Sequence, residues 1–392
     1  MKKQSQKRRI AFVLTSFVVG GVEKSFLSLL DQIDRTKYDI TAFIPDDNGA
    51  WTSLLKEKCD VQYLKIESFR TLMRSHLKQT RFLEIFRCLF FRALARMHYK
   101  KAYRKSTAYF IRSMPRIKER FDCVIAYQII NDDCVLSSLY RLRAPKKIIW
   151  SHAFIRKNEA LYGQWYNKFD KIFCVSKFAK NAFVDNFPWL SEKTEVVHNI
   201  IDVQQIRNLS DEPVSFTYDP NYTAIVTVGR LSQEKGQLMI PEIAQLLKRA
   251  GYKVAWYLIG AGDLKADICK EIAARCVQDS VFLLGSINNP YPYIKACDIY
   301  VQTSVFEGWG LTVSEAKVLA KPIVTTDAGV MSEQIQDEIN GLLVSDADPN
   351  ALAQAIARLI DNPALRDTLI QNLRVEDISP ANELEKLYSA IG

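Results

Sequence analysis

The chain is 392 residues long, 48% apolar and 25% charged, with 28 glycines and prolines together, which excludes a disordered, collagenous or low-complexity protein. At roughly 100 to 200 residues per domain this length argues for about two domains, and no uninterrupted apolar run approaches the roughly 18 to 20 residues of a membrane-spanning helix. The formal charge of +9 is regional: residues 70–120 hold fifteen Lys or Arg against two acids, whereas the remainder holds 38 basic and 42 acidic residues.

The amino terminus imitates a secretory signal, with Lys2, Lys3, Lys7, Arg8 and Arg9 before a mostly apolar run from Ile10 to Val19. It lacks a small-x-small cleavage site, and the run ends in Gly20-Gly21-Val22-Glu23-Lys24, which reads as a strand-to-helix loop. A cytoplasmic protein is expected. Its eight cysteines form no C-x-x-C pair, and Cys123, Cys174 and Cys297 lie in or beside apolar runs, as buried thiols would. Four histidines without ligand spacing argue against zinc.

Strands are expected at Ile10–Leu14, Ile40–Ile44, Cys123–Ala126, Lys147–Trp150, Ile172–Val175 and Glu195–Val197. Between the second and third lies the basic segment. Its Phe82, Leu83, Phe86, Leu89, Phe90, Leu94 and Met97 recur mostly at three- and four-residue steps. Arg81, Arg87, Arg92, Arg96, Lys100, Lys101, Arg104 and Lys105 lie between or after them. Two readings stand: surface helices packing an apolar face on a core, or a basic amphipathic element resting on an anionic membrane. No nucleic-acid-binding module accompanies the basic run, so nucleic acid is not an expected partner.

The polar stretch Leu209–Asn221 marks a domain boundary. Beyond it, strands are expected at Ala224–Val228, Val254–Ile259, Val281–Leu284, Ile299–Gln302, Pro322–Thr325 and Leu342–Val344. Most are continuous apolar runs rather than alternating ones, as in parallel sheets covered on both faces. Two such series predict an α/β protein of two doubly wound, Rossmann-like domains, 1–205 and 206–377. After Ser379-Pro380 a last amphipathic helix is expected at Asn382–Ala390.

Four glycine-containing loops follow strands, where open α/β sheets bind ligands: Gly20-Gly21, Gly229–Gly236, Gly260–Asp263 and Phe306–Glu315. None is a P-loop, and Gly260-x-Gly262 lacks the third glycine of a dinucleotide fingerprint. The fourth loop is the most specific. Glu307 and Glu315 flank Gly308 and Gly310, and a helix pattern begins near Leu311 and Thr312. Free amides at that helix start can bind a phosphate, Glu315 can accept two ribose hydroxyls, and Glu307 is left facing the far end of the ligand. Asp346-Ala347-Asp348 spells a D-x-D, but its place before Pro349 reads as a helix cap. Asp132-Asp133 opens a helix, and no acidic cluster offers a divalent-ion site, so no metal is expected.

Gln302–Val324, QTSVFEGWGLTVSEAKVLAKPIV, resembles the hallmark of family-4 retaining glycosyltransferases of the GT-B fold (glycosyl transferases group 1). The resemblance extends through Gly20–Lys24, Ile149–His152, Phe173–Ser176, Val196–Asp202, Val228–Arg230, Lys235-Gly236 and Asn340–Leu342. It implies two domains facing each other across a cleft, with the acceptor on the first, the donor on the second, and the segment 378–392 crossing back onto the first. It also implies roles. Arg230 and Lys235 match the cations on the donor diphosphate, Glu315 the ribose-binding glutamate, and Glu307 the glutamate near the donor sugar. Gly21, beside Gly20, matches the loop that closes over the diphosphate, and His152 the histidine facing the sugar. Gly229, Gly308, Gly310, Leu311 and Thr312 complete the expected donor site, and base contacts are expected through the backbone near Gly285–Asn288.

The resemblance thus implies metal-independent transfer, with retention, of a sugar from a nucleotide-diphosphate donor, a UDP-sugar by the family's commonest usage. The acceptor would be a glycan, saccharide or polyprenyl-diphosphate-linked, in cell-surface polysaccharide synthesis. The charge and apolar stripe of residues 70–120, for their part, lead to an expected place on the inner face of the plasma membrane. A non-catalytic, membrane-docked partner of the same fold, a sugar-nucleotide epimerase and a phosphorylase are the alternatives; the last would need a pyridoxal-type lysine that the sequence does not identify.

Overall fold

A computed structural model describes residues 6–15, 17–18, 20–65, 86, 89–90, 93, 100–128, 132–152, 163–214 and 218–392. Most of the basic segment's apolar stripe, Phe82, Leu83, Leu94 and Met97 included, lies outside the described residues. The chain divides into two compact units, Met1–Ile200 with Ala381–Gly392, and Ile201–Pro380.

Among the described residues, unit 1 contains a seven-stranded parallel sheet in the order β3-β2-β1-β4-β5-β6-β7. Its strands are β1 Arg8–Val13, β2 Tyr38–Ile44, β3 Asp60–Tyr63, β4 Cys123–Ala126, β5 Lys146–Ser151, β6 Lys171–Cys174 and β7 Thr194–Val196. Six were expected within a residue or two. β3, DVQY, was not, because it is a half-exposed edge strand whose polar residues make no apolar run. Phe12, Phe26 and Tyr127 form an edge-on aromatic cluster on one face of the sheet, and Phe43, Phe121, Phe169, Phe183 and Phe187 fill the other. Cys123 and Cys174 are buried, and burial pushes both thiols up to about 12, which leaves them inert.

The final helix, Ala381–Ile391, belongs to unit 1. Leu384, Leu387 and Ile391 are buried along one stripe. Tyr388 stacks on Tyr38 at 5.1 Å, and its hydroxyl accepts the Asp34 amide proton at 2.9 Å. Glu383 takes the His198 amide and ring Nδ1, both at 2.9 Å. That contact ties His198 to the final helix.

Unit 2 contains a six-stranded parallel sheet in the order β10-β9-β8-β11-β12-β13. Its strands are β8 Thr223–Val228, β9 Val254–Ile259, β10 Val281–Gly285, β11 Ile299–Gln302, β12 Ile323–Thr326 and β13 Leu342–Val344. Every β9 residue is buried. The helix Ile240–Arg249 starts with Pro241 in its first turn and buries Ile240, Ile243, Ala244 and Leu247, a strict three- and four-residue spacing. Asp348 accepts the Ala351 amide at 2.9 Å and so caps the helix Pro349–Asp361; the D-x-D is a capping device.

Tyr388→Ala removes a stacked aromatic and an acceptor from the final helix. Unit 1 is expected to lose about 2 kcal/mol, read as a fall of about 4 to 8 °C in its thermal midpoint, while Tyr388→Phe should lose less than half of that.

Candidate active site

In each sheet the strand order reverses once, between β1 and β4 in unit 1 and between β8 and β11 in unit 2. Chains leaving the carboxyl ends of those strand pairs diverge and open a crevice, and the expected site residues concentrate there.

In unit 2 the Gly229-Arg230-Leu231 loop leaves β8. Gly260 and Gly262, after β9, exist to let that loop pass: a Cβ on Gly260 would lie 1.9 Å from the Gly229 carbonyl oxygen, and one on Gly262 2.2 Å from that of Leu231. Leu231 donates to Ala261 at 3.0 Å. The third glycine loop therefore packs against the second. Gly236, at φ +66, similarly presses on the Thr303 carbonyl after β11, and Thr303 Oγ1 donates to the Lys235 carbonyl at 3.0 Å. Arg230 is exposed at the end of this loop.

The loop after β11 carries Glu307, buried to 7% exposure. Lys235 Nζ donates to its Oε1 at 2.5 Å, and the Ser304 hydroxyl donates to the same oxygen at 2.7 Å. Lys235 and Glu307, expected at different parts of the donor, are thus ion-paired with each other. Gln302 Nε2 reaches the same carboxylate at 3.4 Å, and Gln302 Oε1 accepts from Tyr300 and Thr312. Gly310, at φ +86, turns the chain into the helix Leu311–Val318 without a side-chain cap, and its missing Cβ would meet Met331 Cε at 2.3 Å. Gly308 and Gly310 both lie on this turn, Gly310 buried against Met331, and Glu315, 2% exposed, sits in the second turn of the helix.

A brace beneath this loop was not foreseen. Gln334 Nε2 donates to the Trp309 carbonyl and Oε1 accepts the Ser314 hydroxyl at 2.7 Å. The buried Lys317 Nζ bonds the Gln334 carbonyl at 2.9 Å and Glu376 at 2.6 Å. No motif spacing connects positions 309, 317, 334 and 376.

In unit 1, Gly20 precedes the helix Gly21–Gln32 and has no side chain to cap it. The Glu23 carboxylate folds back to 2.5 Å from where a Cβ on Gly20 would stand. His152 follows β5; its Nδ1 lies 2.8 Å from Asn199 Oδ1, and its ring packs on Tyr127 at 4.3 Å and Trp150 at 5.7 Å. Burial pulls its pKa down to about 3, against the weaker upward pull of Asn199. Asn199, Ser25 and Tyr127 had no expected role. Among the described residues no group of three or more His, Cys, Asp or Glu is placed to hold a metal ion.

Removing Lys235 alone strands the Glu307 carboxylate. In denaturant titrations, Lys235→Met is expected to destabilise unit 2 more than the double variant Lys235→Met/Glu307→Gln does, with a coupling of about 1 to 3 kcal/mol. For His152 the unfolded imidazole takes a proton below pH 6.5, whereas the folded one refuses it until about 3. Stability of unit 1 must therefore fall as pH drops, by about 2 kcal/mol between pH 7 and pH 5 from this group, and His152→Gln should flatten that slope.

Comparison with known proteins agrees with the geometry. The model of the family described as Glycosyltransferase Family 4 matches residues 19–205, and that described as Glycosyl transferases group 1 matches residues 211–375. An uncharacterised glycosyltransferase of Methanocaldococcus jannaschii is 28% identical over 169 residues, 42% of each chain. The N-acetylgalactosamine-N,N'-diacetylbacillosaminyl-diphospho-undecaprenol 4-alpha-N-acetylgalactosaminyltransferase of Campylobacter jejuni is 29% identical over 210 residues, 53% of this chain and 56% of that one. The match thus spans about half the length of these two relatives. Among solved structures, Anabaena HepE in complex with UDP and glucose superimposes with a TM-score of 0.72 at 17% identity, over 98% of this chain and 99% of that one. Matched domain by domain and alike in fold along almost its whole length, this chain belongs to the family-4 (group 1) glycosyltransferases, built from two Rossmann-like domains of the GT-B kind.

Proposed function

We propose that the protein is a retaining glycosyltransferase that moves a sugar from a nucleotide-diphosphate donor, a UDP-sugar, to a glycan acceptor, without a metal. The observation that carries this reading is the constellation at the unit 2 switch point: a helix start without a side-chain cap, reached through Gly308 and Gly310, a buried carboxylate on either side of it, and Arg230 and Lys235 on the loop from β8. Breaking a sugar–phosphate bond builds negative charge on the leaving diphosphate, which fixed cations and amide dipoles stabilise. Arg230 and Lys235 take that role. Lys235 also holds Glu307 in place, so an arriving phosphate competes for a cation already in position. Glu315 takes the ribose, Glu307 and His152 the sugar, and Gly21 approaches the diphosphate. Solved structures of HepE and of a variant of S. aureus TarM contain UDP, which supports uracil as the base.

The C. jejuni relative acts on a diphospho-undecaprenol-linked substrate and a Staphylococcus aureus relative on poly(ribitol-phosphate). Both support a polyprenyl-diphosphate-linked or cell-surface glycan as the acceptor here. Such an acceptor is met at a membrane. Residues 70–120 dock there: fifteen cations attract an anionic leaflet, and Phe86, Leu89 and Phe90 are exposed, with Phe86 and Phe90 stacked at 6.3 Å. No helix among the described residues is long and apolar enough to cross a membrane.

A thermal-shift panel of nucleotide diphosphates and their sugars tests the donor. UDP and a UDP-sugar are expected to stabilise by about 2.7 kcal/mol at 100 times Kd; stabilisation by GDP and not UDP overturns the base assignment. Glu315→Ala should weaken UDP binding, Glu307→Ala should chiefly lower kcat, and equal losses of UDP affinity would contradict this division. For the membrane, co-sedimentation with anionic vesicles should occur at low salt, weaken with added salt, and drop when Arg92, Arg96, Lys100 and Lys101 are reversed to Glu. Unchanged binding in that variant refutes docking through this segment.

A further inference from the structure

Four polar side chains of unit 1, brought together from positions 25, 127, 152 and 199, fix the proton on one imidazole. Asn199 Oδ1 is the hub: it lies 2.8 Å from His152 Nδ1 and accepts the Ser25 hydroxyl at 3.1 Å. Ser25 Oγ is in turn 3.3 Å from the Tyr127 hydroxyl. Tyr127 is fully buried, and burial drives its phenol pKa up, so it keeps its proton.

The protons can be assigned by counting. Ser25 has a single hydroxyl proton and gives it to Asn199, so Tyr127 is the donor in its contact with Ser25. An amide oxygen only accepts, so His152 Nδ1 must carry hydrogen. A neutral imidazole has one N–H, and burial keeps His152 neutral at physiological pH. The other ring nitrogen, Nε2, is then an acceptor. It is buried and has no hydrogen-bond partner among the described residues. The Tyr127 and Trp150 rings against the imidazole restrict its turning.

We propose that Asn199, backed by Ser25 and Tyr127, is a positioning residue that locks His152 as the Nδ1–H tautomer, so that Nε2 accepts a hydrogen bond from a hydroxyl of the transferred sugar. The hydroxyl contact rests on the sugar-transfer reading above; the tautomer does not. The lock also sets specificity. An acceptor nitrogen favours a sugar with a free hydroxyl at that position and discriminates against its deoxy and O-methyl analogues, which offer no donor.

Two-bond proton–nitrogen correlations of the histidine rings, recorded on the full chain without ligand at neutral pH, read the tautomer directly. Wild type should show Nδ1–H and bare Nε2 for His152, assigned by its loss in His152→Gln. Asn199→Ala should shift the ring toward Nε2–H, and Asn199→Asp, which still accepts, should retain Nδ1–H. Should Asn199→Ala fail to fold, Ser25→Ala should give a smaller shift in the same direction. An Nε2–H signal in wild type, or a tautomer indifferent to both substitutions, overturns the lock. With the sugar nucleotide selected by the thermal-shift panel, Asn199→Ala should lower kcat/KM about tenfold, the size of one lost hydrogen bond, with UDP affinity unchanged. An altered tautomer with unaltered kcat/KM overturns the hydroxyl contact, and a panel in which no sugar nucleotide binds refutes the transferase reading while leaving the tautomer result standing.

Discussion

Two neighbouring parallel strands whose chains leave in opposite directions cannot cover the space between their carboxyl ends. In this protein that constraint operates twice, at β1 and β4 and at β8 and β11. The backbone there has amides and carbonyls without a neighbouring strand to bond, and the helices that follow start with free N–H groups. Gly20, Gly21, Arg230, Glu307 and Gly310 all lie on segments that leave these strands. The rest of each sheet, with its apolar strands and covering helices, holds these segments at fixed height and spacing.

Holding them requires backbone to pass backbone at distances no side chain tolerates. Gly236, Gly260 and Gly262 each face a carbonyl oxygen at about 2 Å from a Cβ position, and every one of those carbonyls belongs to a loop at the unit 2 switch point. These glycines are contacts of the protein with itself. Gly310 packs in the same way on Met331, at the start of the helix that Glu307 precedes and that carries Glu315.

Electrostatics follow the same economy. Glu307 is almost wholly buried, and a carboxylate so placed needs compensation; Lys235, Ser304 and Gln302 supply it. A site with its cation already paired has its charges in position before any ligand arrives, so little reorganisation accompanies the chemistry. In unit 1 the polar groups around His152 are compensated by one another instead, through Asn199 Oδ1, and one ring nitrogen is left over.

Much of this was legible in the residues. Apolar runs, most of them continuous, marked twelve of the strands, and the spacing of Glu307, Gly308, Gly310 and Glu315 marked the candidate site before any contact was known. Asp348 before Pro349 identified a cap, because capping is local chemistry. Strand β3 escaped, since a short polar edge strand is defined by its partner β2 and not by its own pattern. The Lys235–Glu307 pair, the brace of Gln334 and Lys317 beneath Trp309, and the convergence of Ser25, Tyr127 and Asn199 on His152 escaped for a different reason. Each joins residues on separate crossovers, and sequence distance carries no information about which crossovers meet. The sequence by itself determined most of the strands, where glycines stand in the loops that follow them and which charges are available. Tertiary structure alone decided which of those charges neutralise one another and which nitrogen of His152 bears the proton, because both depend on contacts between segments that only the order of strands in the sheet brings together.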